Sequence, residues 1–345
     1  MRVLNVMFSK GSGGLEQSFL DYNCMLCYEG LTVLPVVHPK AAVIKNMHIP
    51  FEKIRNISQY DLFAVLKIKR VIEAFNPSII IVHGNRAIKL VAKSTSNIPI
   101  VAVAHNDKVK FVSKVDGIIA VSPHLVHSLQ YVGYKSDIIH VMPNAIHLPD
   151  QLEHKNCDFS KQMNIGVLAR LEKIKGVETF VKSCAILKNK GIPFKAIIGG
   201  HGTDLENIES LIKTLDLTNE ISLLGWVYDK DQFFKSIDIL CVPSKKEAFG
   251  ISILEGMMRS KLIVATPTGG AKNIIENGQY GILSKSTKPE DLADSLIHSY
   301  QNVEQADKLT KEALTHVQKF SIHSVAIKLR ILLEEIKHHY CSRIL

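Results

Sequence analysis

Glu247 and Glu255 stand on either side of a strand-to-helix junction in the run Pro243-Ser244-Lys245-Lys246-Glu247-Ala248-Phe249-Gly250-Ile251-Ser252-Ile253-Leu254-Glu255. The apolar stretch Ile237 to Val242 ahead of it reads as a buried parallel strand. Ile251, Leu254 and Met258 then repeat at helical spacing after Gly250, which places Glu247 in the loop and Glu255 on the helix. A carboxylate accepts at two oxygens, so one such group suits a vicinal diol, and two of them suit the pair of diols that flank a diphosphate in a nucleotide sugar. The start of a helix leaves backbone N–H groups unpaired and carries partial positive charge. The Phe249 and Gly250 amides, with Ala248 just ahead of them, are therefore placed to meet a phosphate oxygen. In a chain with 33 acids, two surface glutamates also fall at this spacing by chance, so the pair draws its meaning from its neighbours.

Five further loops follow apolar runs in the same way. Ala169-Arg170-Leu171-Glu172-Lys173-Ile174-Lys175-Gly176 brings two cations, Arg170 and Lys175, to the end of a strand, where they can stabilise the charge that develops on a departing diphosphate. Lys173 reads equally as a solvated loop residue. The segment Gly199-Gly200-His201-Gly202 is a place for backbone to approach a ligand, at Gly200 and Gly202 above all. After a later strand, Gly225-Trp226-Val227 offers an edge for a base; Trp226, the sole tryptophan, fits a core position as well. Near the start, Ser9-Lys10-Gly11-Ser12-Gly13-Gly14-Leu15-Glu16 lacks the Gly-Lys-Ser/Thr ending of a P-loop and the full dinucleotide fingerprint, yet Gly13 and Gly14 open a helix where amides are on offer. The strand Pro99 to Ala104 delivers His105 and Asn106 to a strand end, with His105 able to orient a sugar or to serve a structural role.

The elements that must position these residues alternate β and α twice over. Strands are expected at Val3–Phe8, Thr32–Val37, Ile79–Val82, Ile100–Ala104, Gly117–Val121 and Ile138–Val141, with helices near 15–29, 60–75, 85–94 and 123–131. The second half repeats the theme with strands near 163–169, 194–199, 220–224, 237–242 and 262–265 and helices near 175–189, 203–215 and 250–258. Such alternation makes an α/β chain with two parallel, Rossmann-like sheets covered on both faces, whose ligands bind at the carboxyl ends of the strands. The polar stretch Pro149 to Gln162 reads as the linker. The expected division is 1–150, 151–321 and a final helix, 322–345, whose apolar residues at 325, 329, 332 and 336 form a stripe.

At 345 residues and 46% hydrophobic the chain is long enough for two such cores. No apolar stretch approaches the roughly 20 residues of a membrane span. The opening residues read as a strand, not a signal peptide, and the expected location is cytoplasmic. Cys24 and Cys27 form a lone C-x-x-C in the first helix without a second pair or nearby histidines, a poor start for a redox or metal centre. Residues 1–150 hold 16 Lys/Arg against 10 Asp/Glu, and the remainder 26 against 23. Within the more basic half, Arg86, Lys89 and Lys93 recur at helical spacing, while Lys108, Lys110 and Lys114 alternate with Val109, Phe111 and Val112. Basic side chains interleaved with apolar ones suit an anionic bilayer as well as a solvated face. No aromatic stacking motif accompanies the charge, so nucleic acid is not the expected partner.

With these loops in order, the chain resembles the retaining GT-B glycosyltransferases of family 4, over nearly its full length and most strongly from Asn144 to Leu283. The resemblance rests on Gly13-Gly14 with Glu16, His105, Pro143-Asn144-Ala145-Ile146, Arg170 with Lys175-Gly176, Gly200-His201-Gly202, Gly225-Trp226-Val227, Pro243-Ser244, Glu247 with Phe249-Gly250 and Glu255, and Gly269-Gly270. It implies two Rossmann-like domains facing across a cleft, with the last helix returning to the first domain. It further implies that Glu255 holds the donor ribose, Arg170 and Lys175 the diphosphate, and Glu247 with the Phe249 and Gly250 amides the sugar hydroxyls and phosphate. His105 would face the reacting sugar, and the Gly13-Gly14 loop would close over the phosphates. Ala248, Trp226, Val227, Gly200 and Gly202 complete the donor set; Glu16, Asn106 and Asn144 fall on the acceptor side. No metal or other cofactor is implied, and a nucleotide diphosphate sugar, UDP- or GDP-linked, would be the substrate. A glycan or lipid-linked acceptor would be the partner, with peripheral contact to an anionic membrane. Asn273 stands where the family often has Glu, and Ser260-Lys261-Leu262 where it has a Gly-x-Pro turn, both bearing on sugar preference. A sugar-nucleotide epimerase of the same fold and a non-catalytic homologue acting as a scaffold are the alternative readings.

Overall fold

Strands buried on both faces need near-continuous runs of aliphatic residues, and both sheets of this chain are made of such runs. The structure, a computed structural model, describes residues 1–11, 13–106 and 115–344; the Lys108–Lys114 alternation lies outside them. By contacts the chain divides into Met1–His147 with Lys319–Leu345, and Leu148–Gln318.

The first unit runs β1 (Arg2–Met7), α1 (Gly14–Tyr28), β2 (Thr32–Val37), β3 (Glu52–Lys53), α2 (Leu62–Phe75), β4 (Ile79–His83), α3 (Asn85–Ser94), β5 (Ile100–Ala104), β6 (Gly117–Ala120), α4 (His124–Tyr131) and β7 (Ile139–Val141). Its described strands form one parallel sheet in the order β3-β2-β1-β4-β5-β6-β7. The register is fixed by the aliphatic runs: Val3, Leu4, Val6 and Met7 of β1 lie beside Ile79, Ile80, Val82 and His83 of β4, and the β4 residues are all buried. Helix α2 starts where the Asp61 side chain accepts the Ala64 N–H at 3.0 Å and stops where Asn76 turns left-handed at φ 46°. It buries Ala64, Ile68 and Ile72 at helical spacing.

The second unit runs β8 (Met163–Leu168), α5 (Val177–Asn189), β9 (Phe194–Gly199), α6 (Leu205–Thr214), β10 (Ile221–Gly225), α7 (Lys230–Lys235), β11 (Ile239–Val242), α8 (Ile251–Met257), β12 (Leu262–Ala265), α9 (Gly269–Ile274), β13 (Ile282–Leu283), α10 (Pro289–Gln301) and α11 (Val303–His316). Its parallel sheet has the order β10-β9-β8-β11-β12-β13. Ile165, Val167, Ile198, Ile239, Cys241 and Val264 form its core with Phe180 and Leu187 of α5. Cys184 and Cys241 are buried there, which pushes both thiols up.

The last helix, α12 (Ile322–Ile344), belongs to the first unit. Its buried stripe is Val325, Leu329, Leu333 and Ile336, so Leu333 and not Leu332 continues the face. Gly117 of β6 leaves the room Ile336 occupies: a Cβ there would lie 2.7 Å from the Ile336 Cδ1. Tyr340 Oη donates to the Ser96 carbonyl at 2.9 Å, and Arg330 Nη1 to that of Glu29 at 3.3 Å. No helix among the described residues is long and apolar enough to cross a membrane.

Candidate functional site

In an open parallel sheet the strand order reverses at one place, and loops leaving adjacent strands there diverge to opposite faces, opening a crevice at the strand ends. In the second unit that place lies between β8 and β11, the strands from which the Arg170–Gly176 and Pro243–Gly250 loops depart. The two loops are tied together. The Lys245 N–H donates to the Ile174 carbonyl at 2.8 Å, and Lys175 Nζ donates to Glu247 Oε2 at 2.7 Å, with both side chains mostly shielded from water. Ser244 Oγ donates to the same carboxylate oxygen at 3.3 Å. Glu247 is thus held by two donors in a setting where its charge and that of Lys175 are felt more strongly than at an open surface.

The glycines make this assembly possible, in a way the sequence alone did not indicate. Gly200 and Gly202 were expected to let backbone approach a ligand. In the structure they also permit a close approach to the chain's own backbone. A Cβ at Gly200, at φ 137°, would fall 1.8 Å from the Ala169 oxygen, and one at Gly202 would fall 2.3 Å from the Leu171 oxygen. The Gly200 N–H is already committed to the Gly225 carbonyl at 2.7 Å. Gly176, at φ 67°, is pressed in the same way against the Pro243 oxygen. Further bonds from Leu171 N to the His201 oxygen at 3.1 Å and from Gly270 N to the Glu247 oxygen at 3.0 Å join the strand-end loops into one platform.

Glu255 lies on α8, as its spacing implied, and Lys230 at the start of α7 donates to its Oε1 at 2.5 Å. Lys230 carried no motif and was not anticipated; it fixes the orientation of a carboxylate otherwise largely buried. Trp226 is 49% exposed, which removes the core alternative for it, and Val227 Cγ2 lies over Gly199. Ala248 is half-buried and Phe249 buried, with Gly250 at φ 103° opening α8. Arg170 is the outlying member: its guanidinium is exposed and its Nη1 bonds Glu172 Oε1 at 2.8 Å.

Ser260, at the position of the family's Gly-x-Pro turn, sits in the left-handed region at φ 56°. Its hydroxyl answers the strain by accepting the Lys155 N–H at 3.0 Å and meeting His154 Nδ1 at 3.2 Å. Asn273 is half-buried on α9.

In the first unit the order reverses between β1 and β4. After β1, Ser9 Oγ donates to Glu16 Oε1, and Glu16 is buried, so this carboxylate shapes its own loop beside Gly13, which precedes α1, and Gly14, its first residue. Asn144 is likewise buried, its Oδ1 accepting from Ser18 Oγ at 2.9 Å. Asn106 is exposed just beyond β5. Glu16 and Asn144 are thus both engaged by hydroxyls of the first unit.

His105 follows β5, and its Nε2 lies 3.0 Å from Nδ1 of His83, the buried last residue of β4; the rings stack at 5.2 Å. His83 was missed as a partner, although a histidine closing the apolar run Ile79-Ile80-Ile81-Val82 at a reversal strand was the available signal. Phe19 and Tyr22 meet the His83 ring edge to face, and its Nε2 has no hydrogen-bond partner among the described residues. A buried bare acceptor costs less than a buried unpaired N–H, so the His83 proton belongs on Nδ1, donating to His105. His105 then carries its own proton on Nδ1 and is a donor.

Burial lowers His105 to about 4, and burial followed by repulsion from His105 holds His83 well below its usual range. Because the unfolded chain binds protons that the folded one refuses, stability is fully present above about pH 6.5 and is lost as pH falls toward 4. His105 alone accounts for about 3 kcal/mol of that loss. Urea unfolding of the first unit followed from neutral to acid pH should show this slope, and His105→Gln should flatten it.

Cys24 and Cys27 are free and exposed on α1. Burial of part of each side chain raises both thiols, Cys24 further through Asp21, so neither has the thiolate character of a redox centre. Among the described residues no group of three His, Cys, Asp or Glu is arranged to hold a metal ion.

Two descriptions of known families match consecutive parts of the chain: Glycosyltransferase Family 4 over residues 26–149 and Glycosyl transferases group 1 over residues 151–316. The chain belongs to the family 4 glycosyltransferases, with the GT-B pair of Rossmann-like domains. It is 30% identical over 157 residues to a D-inositol 3-phosphate glycosyltransferase of Paenarthrobacter aurescens, a match covering 44% of this chain and 38% of that one. It is 26% identical over 176 residues to the O-antigen biosynthesis glycosyltransferase WclY of Escherichia coli, covering 49% and 47% respectively. The matches span less than half the length of either relative. In fold it is similar to Anabaena Alr3699/HepE in complex with UDP, with a TM-score of 0.83 and 20% identity over 97% of this chain and 100% of that one.

Proposed function

We propose that this chain is a retaining glycosyltransferase that moves a sugar from a nucleoside diphosphate donor to a glycan or lipid-linked acceptor, without a resident metal. The observation that carries this reading is the Lys175–Glu247 pair, 2.7 Å long and steadied by Ser244, at the strand-order reversal of the second unit. Lys175 and Arg170 face the growing charge of the diphosphate, Glu247 the hydroxyls of the sugar, and Glu255 the ribose diol, its orientation set by Lys230. Trp226 offers an exposed ring to the base. His105, neutral at physiological pH and a donor at Nδ1, is the residue we assign to a hydroxyl of the transferred sugar.

In this reaction the bond between the anomeric carbon and the diphosphate oxygen breaks as the acceptor oxygen attacks the same face, and the acceptor proton passes to the departing phosphate. No carboxylate needs to act as a covalent nucleophile. Uridine is the first base to test because UDP occupies the HepE relative of this fold, and a surface glycan is a fitting acceptor because WclY serves O-antigen biosynthesis. The experiment is a calorimetric panel of nucleoside diphosphates and their sugars in the presence of a chelator, followed by product analysis. Binding of a diphosphate nucleoside with release of glycoside is the expected outcome. Failure of every nucleotide to bind would overturn the reading, and a new free nucleotide sugar without glycoside would replace it with the epimerase.

A further inference from the structure

Single exposed apolar residues are ordinary on a protein surface, but a run of them is not. Ile57, Tyr60, Leu62, Phe63 and Leu66 are all exposed, Ile57 to 83% and Phe63 to 81%. They occupy the loop ahead of α2 and its first turns, on the side turned away from buried Ala64, Ile68 and Ile72. The neighbouring helix α3 buries Ala87, Ile88, Leu90 and Val91, and from it Lys89 and Lys93 reach over the Tyr60 ring, their Nζ atoms 5.4 and 5.1 Å from its centroid. Arg86 Nη1 approaches Asn56 Oδ1 at 3.4 Å at the loop's base. The nearby acids are engaged locally. Asp61 caps α2, accepting from Ala64 and also from the Ile57 N–H at 3.0 Å, and Glu73 lies 4.0 Å from Lys69.

We propose that this surface, the loop at 57–60 with the first turns of α2 and the cationic face of α3, docks on a lipid bilayer rich in anionic headgroups. Apolar side chains standing proud beside lysines are the composition that enters the headgroup layer: Ile57, Leu62 and Phe63 reach the acyl boundary, Tyr60 sits at the interface, and Lys89 and Lys93 meet phosphates. A protein partner suits the patch less well. Lysines are depleted at the centre of protein interfaces, and here two stand directly over the aromatic ring. A second copy of the chain docking by two-fold symmetry would set these same lysines against one another. The inference stands apart from the donor assignment, because it concerns partitioning and not turnover.

The test is co-sedimentation of the full chain with vesicles of phosphatidylcholine alone and of phosphatidylcholine mixed with phosphatidylglycerol. The wild type should bind only the anionic vesicles, and less so as salt rises. Lys89→Gln with Lys93→Gln should weaken binding about thirtyfold, and Phe63→Ser with Leu66→Ser about a hundredfold. Lys285→Gln with Lys288→Gln, the same charge change on the second unit, should leave it within about twofold. The substituted side chains are exposed except Lys89, which is half-buried with its Nζ over the Tyr60 ring, so melting temperatures should change little, which separates lost docking from lost folding. No binding to anionic vesicles, equal binding to neutral ones, or variants that bind like the wild type would overturn the proposal. Self-association that disappears in the same variants would overturn it in favour of a dimer.

Discussion

Lys175→Ala should lower donor turnover by about a thousandfold, the loss expected if it is a preorganised group facing transition-state charge, as proposed. The same change also costs stability, about 2 kcal/mol, because it leaves the shielded Glu247 carboxylate with only the Ser244 hydroxyl. Those two effects separate in the double variant Lys175→Ala with Glu247→Gln. Removing the orphaned charge restores most of the melting temperature, while turnover stays at the level of the single variant or below. Glu247→Gln alone should be nearly as inactive, since it removes the charge and one of the two acceptor oxygens offered to the sugar and weakens the tether of the lysine. Turnover of Lys175→Ala within about tenfold of the wild type would show that the pair only staples two loops together. Steady-state kinetics with the donor identified by calorimetry, read beside thermal melts, decide between these outcomes.

Gly176→Ala should unfold or severely loosen the second unit, whereas Gly191→Ala should hardly affect it. Both glycines have φ near 67°, so both substitutions carry the same left-handed penalty of about 1 kcal/mol. They differ in space: a Cβ at Gly176 falls 1.9 Å from the Pro243 backbone oxygen, and nothing lies within 4 Å of one at Gly191. Backbone on both sides leaves no flexible end to yield, so the two loops must part, breaking the Lys245–Ile174 bond and drawing Lys175 from Glu247. A cost of about 4 kcal/mol or more is expected, lowering the melting temperature by more than about 10 °C against about 3 °C for Gly191→Ala. Equal melting temperatures for the two variants would mean that the loops are free to separate and that the platform is not a rigid one.

Much of this was legible before any coordinates, and the exceptions have physical causes. Short runs rich in β-branched residues such as Ile79–Val82 and Ile100–Ala104 read as buried strands by length and composition together, so their positions follow from the sequence. Two-residue strands such as Glu52–Lys53 and Ile282–Leu283 have no period to read, and neither does the six-residue helix Lys230–Lys235, whose first residue orients Glu255. In α12 both Leu332 and Leu333 fit a helical stripe, and only contact with the sheet selects Leu333. Residue type showed that Gly200 and Gly202 serve a close approach, but not that the backbone of Ala169 and Leu171 takes part in it. The place of His83 at the end of an apolar run was visible, but its partnership with His105 depends on the pairing of β4 with β5, a relation between distant segments.

The most direct test of the account is calorimetric titration of UDP into the intact chain and into Glu255→Ala, with a chelator present throughout. Binding by the wild type at one site, weakened about thirtyfold or more in Glu255→Ala while the melting temperature of the free protein barely moves, is the predicted result. Equal affinity in the two proteins would place the nucleotide somewhere other than the strand ends of the second unit and would contradict the account.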